Sequence, residues 1–274
     1  MRPSRWATSM HGLVVAALTV AALGLAGCGT VPAQPGTAQE STEPASARSD
    51  PWERLNRRIF DFNEVVDAAV IKPVALGYRA VVPEWLRTGV DNMFGNLGDA
   101  WSAVNLVLQA KPKVALEVGM RVVTNTLFGL FGFLDIADEM GLPRQSEDFG
   151  QTLGVWGVGS GPYLVLPLLG PSTLRDTAAL PVDFKASPSA LAFNEVRDQN
   201  GATVLQVINT RVKLLNATRV LDDVALDKYI LLRDAYLARR RNQVYDGDPP
   251  EEQDTKAAEP PPAEPKPAEP KPAK

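Results

Sequence analysis

Residues 150 to 174 read "GQTLGVWGVGSGPYLVLPLLGPSTL", an uncharged stretch long enough to cross a bilayer but interrupted by six glycines and three prolines. Gly150, Gly154, Gly157, Gly159 and Gly161 each cost a helix about 1 kcal/mol relative to alanine. Pro162, Pro167 and Pro171 remove donors and clash with the preceding turn. A transmembrane helix is therefore excluded. Irregular backbone cannot face lipid with unpaired N–H and C=O groups, so at membrane depth it persists only when packed in protein or lining a cavity. Composition alone leaves two readings: a cavity wall, or a tight loop in a soluble core where glycines supply positive φ.

Upstream, "VVTNTLFGLFGFL" (122–134) is uncharged between Arg121 and Asp135. As a helix it would reach about 20 Å, short of the roughly 30 Å hydrocarbon core. Phe128, Phe131 and Phe133 alternate with Gly129 and Gly132, which suits a buried hairpin or a segment dipping into one leaflet, and equally a soluble core helix. Most of the remaining chain has helical periodicity. Asp50 and Pro51 read as a cap and a first helical position. Leu55, Ile59, Phe62, Val66 and Ala69 then share one face of a helix expected to end before Pro73. A second helical stretch starts at Pro83, and "DAWSAVNLVLQAKP" (99–112) reads as another that Pro112 stops. Val204, Ile208, Val212 and Leu215 form a later stripe, and "DDVALDKYILLRDAYLARRR" (222–241) places acids early and arginines late, as the helix dipole prefers. Strand signals are confined to short runs such as Tyr163 to Leu166. The chain is predicted to be mainly α, with one domain at 49–246.

The ends bound the compartment. Arg2 and Arg5 precede an uncharged run from Gly12 to Gly27, the pattern of a secretory signal peptide at 1–27. That run ends in Leu25-Ala26-Gly27-Cys28, similar to a bacterial lipobox, with Cys28 as the acylated first residue after cleavage. Cys28 is the only cysteine, and Gly29 stands where aspartate would signal inner-membrane retention. Outer-membrane sorting is expected. Residues 28–48 are small, polar and proline-containing and read as a tether. Residues 247–274 form a proline-rich tail expected to stay disordered. After cleavage the net charge is −6, and eight acids and four lysines lie from Asp246 onward. The body is thus near neutral and offers no basic excess for nucleic acid.

Catalytic chemistry has little to work with. The only histidine, His11, lies in the cleaved segment, which removes Ser-His-Asp and Cys-His systems and His- or Cys-ligated zinc. "GVGSGP" (157–162) lacks the glycines of a nucleophile elbow, and no Walker lysine follows a glycine loop. The acids lie mostly on polar helix faces and read as solvated charges. No enzyme activity, metal or cofactor is expected beyond a covalent lipid.

Three segments carry a resemblance. They are "DPWERLNRRIFDFNEVVD" (50–67), "NTLFGLFGFLDIA" (125–137) and "FGQTLGVWGVGSGPYLVLPLLGPSTLRD" (149–176), with a weaker match from Tyr229 to Tyr236. Together with the lipobox they resemble the MlaA (VacJ) family of outer-membrane lipoproteins, from about Asp50 to Tyr245. That resemblance implies a ring of amphipathic helices with glycine-rich irregular segments around a central lipid channel, embedded in one leaflet. It implies removal of mislocalised phospholipid from the outer leaflet and its transfer to a soluble periplasmic carrier, beside a trimeric porin. By the same resemblance, Phe128, Phe131, Phe133, Trp156, Gly157, Gly159, Gly161, Tyr163, Leu164 and Leu166 line the channel or bind lipid, and Phe62 and Asn63 control its shape. A valine at Gly157 or Gly161 is expected to block passage. The competing classes are a structural envelope lipoprotein and a lipid-modifying enzyme.

Overall fold

The structure is a computed structural model in which residues 50–250 are described. The signal segment, Cys28, the tether and residues 251–274 of the tail lie outside the described residues. Ten α-helices and one hairpin appear among the described residues. Helix α1 (Glu53–Val66) runs through a π-helical turn (Asp67–Ile71) into α2 (Lys72–Val81). Then follow α3 (Glu84–Leu108), α4 (Pro112–Leu127), α5 (Ile136–Glu139) and α6 (Phe149–Val155). The hairpin β1 (Tyr163–Leu166) and β2 (Gly170–Thr173) precedes α7 (Leu174–Lys185), α8 (Pro188–Ala192), α9 (Val196–Val224) and α10 (Lys228–Val244).

Several boundaries differ from the periodicity reading. Pro73 does not end the first helix, because the Lys72 N–H reaches back five residues to the Asp67 carbonyl. The wider π turn lets a proline with no N–H of its own enter at the start of α2. Asp50 is no helix cap; it is buried, accepts from Asn56 Nδ2 at 2.8 Å and takes the Tyr229 hydroxyl. The two stretches expected after Pro83 are a single helix, α3. The last helical stretch is broken at 225–227, where the Asp227 carboxylate caps α10 by accepting from the Ile230 N–H at 3.1 Å. β1 lies at the expected residues, whereas β2 carried no strand signal: it pairs antiparallel with Tyr163 opposite Thr173 and Leu166 opposite Gly170. The uncharged stretch also opens with a helix, α6, despite Gly150 and Gly154.

On α9 Val212 and Leu215 of the expected stripe are buried, but α1, α3 and α4 depart from the amphipathic expectation. On α1 the expected core face is split, with Leu55 and Phe62 more than half exposed and Ile59 packed on the Tyr163 cluster, while Asn56 is fully buried. On α3 the buried side chains include Asn96, Asp99, Ser102 and Asn105, and Trp85, Met93, Val104 and Val107 point outward. On α4, Arg121 and Asn125 are buried and Leu116, Met120, Val123 and Leu127 are exposed. Among the described residues, buried polar and charged side chains outnumber buried apolar ones. The two apolar clusters are small, one around Leu106, Ala115 and Val118 and the other around Tyr163, Val165 and Tyr229. A water-soluble domain has the opposite distribution.

The elements close a circuit. α1 packs on β1, α2 on α9, α9 on α3, α3 on α6, α6 on α7, and α7 and α10 on β2, which pairs back to β1. No helix of the described residues is long and apolar enough to cross a membrane.

Candidate functional site

Three cavities follow one another through this circuit. The first, about 350 Å³, lies between α6, the hairpin, α7 and α10. A second, about 390 Å³, between α3, α8, α9 and the loop before α6, shares Ser146, Asp148 and Asp183 with the first. The third, about 490 Å³, between α2, α3 and α9, shares Asp91 and Lys213 with the second. The cavities are neighbours that share lining side chains, and charged and polar groups recur from one to the next. Apolar side chains enter them locally, with Leu166, Leu169, Pro171 and Leu180 on the first cavity and Phe94 and Phe184 on the second.

Buried ion pairs hold the walls, which corrects the expectation that the acids are solvated. Arg240 spans two carboxylates, Asp148 at 2.6 Å and Asp176 at 2.8 Å, and Arg175 adds a second cation to Asp176 at 2.9 Å. Burial disfavours the charge on Asp148 and Asp176, but the Arg240 hydrogen bonds outweigh it and hold both below the usual carboxylate range. Asp148 caps α6, so this network ties α10 to the starts of α6 and α7. A second cluster joins Arg121 of α4 to Asp99 of α3 at 2.9 Å, to Asp135 and to the Leu142 carbonyl, with Arg144 at 3.4 Å from both acids. Here burial dominates at Asp99 and pushes its carboxyl up despite both arginines.

The helical glycines follow from these networks. A Cβ on Gly150 would lie 2.6 Å from Arg240 Nη2, and one on Gly154 the same distance from Arg175 Nη1. Their function is clearance for guanidinium groups packed against α6, an interaction invisible to helix propensity.

The hairpin is clamped from α1. Asn56 donates to the Tyr163 carbonyl at 3.1 Å and accepts from the Val165 N–H at 2.9 Å. Two turns on, Asn63 donates to the Leu166 carbonyl at 3.0 Å and accepts from the Leu168 N–H at 2.8 Å. Each amide takes the place of a neighbouring strand along the free edge of β1, satisfying groups that would otherwise be open.

The residues expected at the channel are dispersed. Leu166 lines the first cavity. Tyr163 is buried against Tyr229 and Tyr236, with its hydroxyl pushed up to about 12 by burial, and Leu164 pairs opposite Ser172. Phe133 packs edge-on to Trp85 over Gly89. Phe128 and Phe131 are more than 70 % exposed on a turn where Leu130, Phe131 and Gly132 all have positive φ. Trp156 is exposed and donates to the Leu108 carbonyl at 3.0 Å. Gly157 and Gly161 have φ of +91° and +68°, so valine there would strain the backbone before it filled any passage; Gly159 meets open space. Phe62 is half exposed on the outer face of α1, and Asn63 lies in the clamp. The ion-pair residues Asp99, Arg121, Asp148 and Arg240 were missed. Their signal is the recurrence of polar residues at helical spacing, as in Asn92, Asn96, Asp99, Ser102 and Asn105.

An apolar exterior around a polar, ion-paired interior, with no spanning helix among the described residues, defines a helical protein built to sit in lipid without crossing it. Residues 48–243 match the family model described as MlaA lipoprotein, and the chain belongs to that family. Curated relatives named "Intermembrane phospholipid transport system lipoprotein MlaA" include that of Escherichia coli strain K12, 36 % identical over 83 % of this chain and 87 % of its own length. That of Haemophilus influenzae is 32 % identical over 83 % of this chain and 89 % of its own. A chain solved in work on the "structural basis for maintenance of bacterial outer membrane lipid asymmetry" superposes with a TM-score of 0.64. It is 37 % identical, covering 72 % of this chain and all of the solved one.

Proposed function

We propose that this protein is an outer-membrane lipoprotein, anchored through Cys28, that takes phospholipid mislocalised to the outer leaflet through its ring and hands it to a soluble periplasmic carrier. It keeps the outer membrane asymmetric and works beside a trimeric porin. The observation that carries the reading is a set of neighbouring cavities walled by ion-paired side chains, inside a surface that exposes many large apolar side chains. A phospholipid headgroup leaving a leaflet needs wetted, charged walls, and its acyl chains need apolar surface, as Leu166, Leu169 and Leu180 offer beside Arg240. The exposed Phe128, Leu130 and Phe131 suit contact with the leaflet. One acyl chain gives only marginal membrane attachment, so the acylated cysteine and the apolar exterior act together. The protein breaks no bond in this reading; its acids and arginines conduct an amphiphile.

The test is outer-leaflet phospholipid in cells lacking the protein, restored with the wild-type chain or with Cys28→Ala. Accumulation corrected by wild type but not by Cys28→Ala is expected. No accumulation in the deletion strain would overturn transport and favour a structural lipoprotein.

A further inference from the structure

The first cavity holds charged side chains beyond its ion pairs. Among the ionised groups at this site, Arg240 and Arg175 are matched by Asp148 and Asp176. Two lining residues remain outside that quartet. Arg239, an exposed side chain of α10, makes no hydrogen bond or ion pair with another described residue. Asp183 accepts from the Trp101 indole at 2.8 Å and the Phe149 N–H at 2.9 Å, both on Oδ1, which leaves Oδ2 without a hydrogen bond or ion pair among the described residues. A third group is also open. Gln151 is 2 % exposed and its Oε1 is buried without a hydrogen bond, while its Nε2 is fixed between the Ser146 carbonyl at 3.1 Å and Asp148 Oδ2 at 3.2 Å. The amide therefore cannot turn over without losing both bonds.

We infer that this cavity selects a phospholipid with a zwitterionic headgroup bearing a primary ammonium, a phosphatidylethanolamine. The inference rests on the proposed transport of phospholipid. Arg239 supplies the open cation for the phosphate. An ammonium brings three donors and needs acceptors, and Asp183 Oδ2 and the buried, unpartnered Gln151 Oε1 can supply two. Leu166, Leu169, Pro171 and Leu180 receive the first methylenes of the chains, which free phosphoethanolamine lacks. An anionic glycerol headgroup gains the same arginine but places net negative charge near Asp183 with no ammonium to offset it. Asp183 also lines the second cavity, so the selecting carboxylate stands between the two.

The experiment uses the full chain in detergent micelles doped with equal phosphatidylethanolamine and phosphatidylglycerol of identical acyl composition, with co-purified lipid counted by mass spectrometry. Wild type is expected to enrich phosphatidylethanolamine about fivefold, the scale of one partly exposed ion pair. Asp183→Asn keeps the acceptor for Trp101 and Phe149, removes the charge, and is expected to bring the ratio near one. Arg239→Gln is expected to lower the total of both lipids. Equal amounts on wild type, or enrichment that survives Asp183→Asn, would overturn the inference while leaving transport standing. No bound phospholipid at all would overturn both. Equal amounts on wild type overturn the inference whether or not a variant folds.

Discussion

Asn63→Ala removes the outer half of the clamp between α1 and the hairpin. Its two bonds, 3.0 Å to the Leu166 carbonyl and 2.8 Å from the Leu168 N–H, are each worth about 0.5–1.5 kcal/mol net. Leu168 is 63 % exposed, so its freed N–H regains water and no full burial penalty is added. Leu168 also has φ of +63°, a left-handed conformation costing a branched side chain roughly 1 kcal/mol, and the clamp helps hold it there. The turn at 167–169 is therefore expected to loosen by about 2 kcal/mol, an opening roughly 30-fold more populated. Native-state hydrogen exchange in micelles reads this directly: protection of the Leu168 amide falls about 30-fold, while that of Val165, held by Asn56, is retained. Unchanged protection at Leu168 would refute the clamp. Equal loss at Val165 would refute its division into two independent halves. Since Leu166 and Leu169 line the first cavity, the same variant is expected to alter lipid passage without detaching the protein.

Asn56→Ala should be more damaging, by about 3 kcal/mol or more, because it strands the buried Tyr163 carbonyl, Val165 N–H and Asp50 together; a denaturant midpoint equal to that of Asn63→Ala would contradict this. Gly154→Ala places a Cβ 2.6 Å from Arg175 and should cost about 1–3 kcal/mol by overpacking. Gly157→Ala meets open space and should cost only about 1 kcal/mol of backbone strain, so the order of their thermal midpoints checks the clearance argument. Arg240→Met leaves Asp176 buried without its main partner and should cost about 3 kcal/mol at pH 7, with Asp148 adding little because its side chain is 37 % exposed. Both acids have lowered pKa values in the folded protein, so their stabilisation is present above the unfolded carboxylate pKa and lost as pH falls through the folded one. The gap between wild type and Arg240→Met should thus narrow toward pH 3; a gap constant with pH would rule out the ion-pair account.

Helix content was legible because periodicity survives whichever face is buried: Leu55, Ile59 and Phe62 mark α1 equally well pointing in or out. Direction was legible on α9, where Val212 and Leu215 are buried, but not on α3 or α4. In water the apolar stripe marks the core, and here Asn56, Asn96, Asn105 and Arg121 take that place. The strand at Tyr163–Leu166 was readable from its β-rich run, while β2, "GPST", exists only because β1 and Asn-clamped α1 hold its partner edge. The glycines of the uncharged stretch were read as helix breakers, correctly after Trp156 and wrongly before it. The difference lies in Arg175 and Arg240, distant in sequence, which need the space.

The sequence by itself determined the mainly helical class, the poverty of catalytic groups and, through its three motifs, the family, since these depend on residue type and local spacing. Only the tertiary structure decided which stripe faces inward, which arginines are matched by acids, and which two charges and one amide oxygen are left open in the first cavity. Those are balances among residues as far apart as Asp148 and Arg240, and no local pattern encodes them.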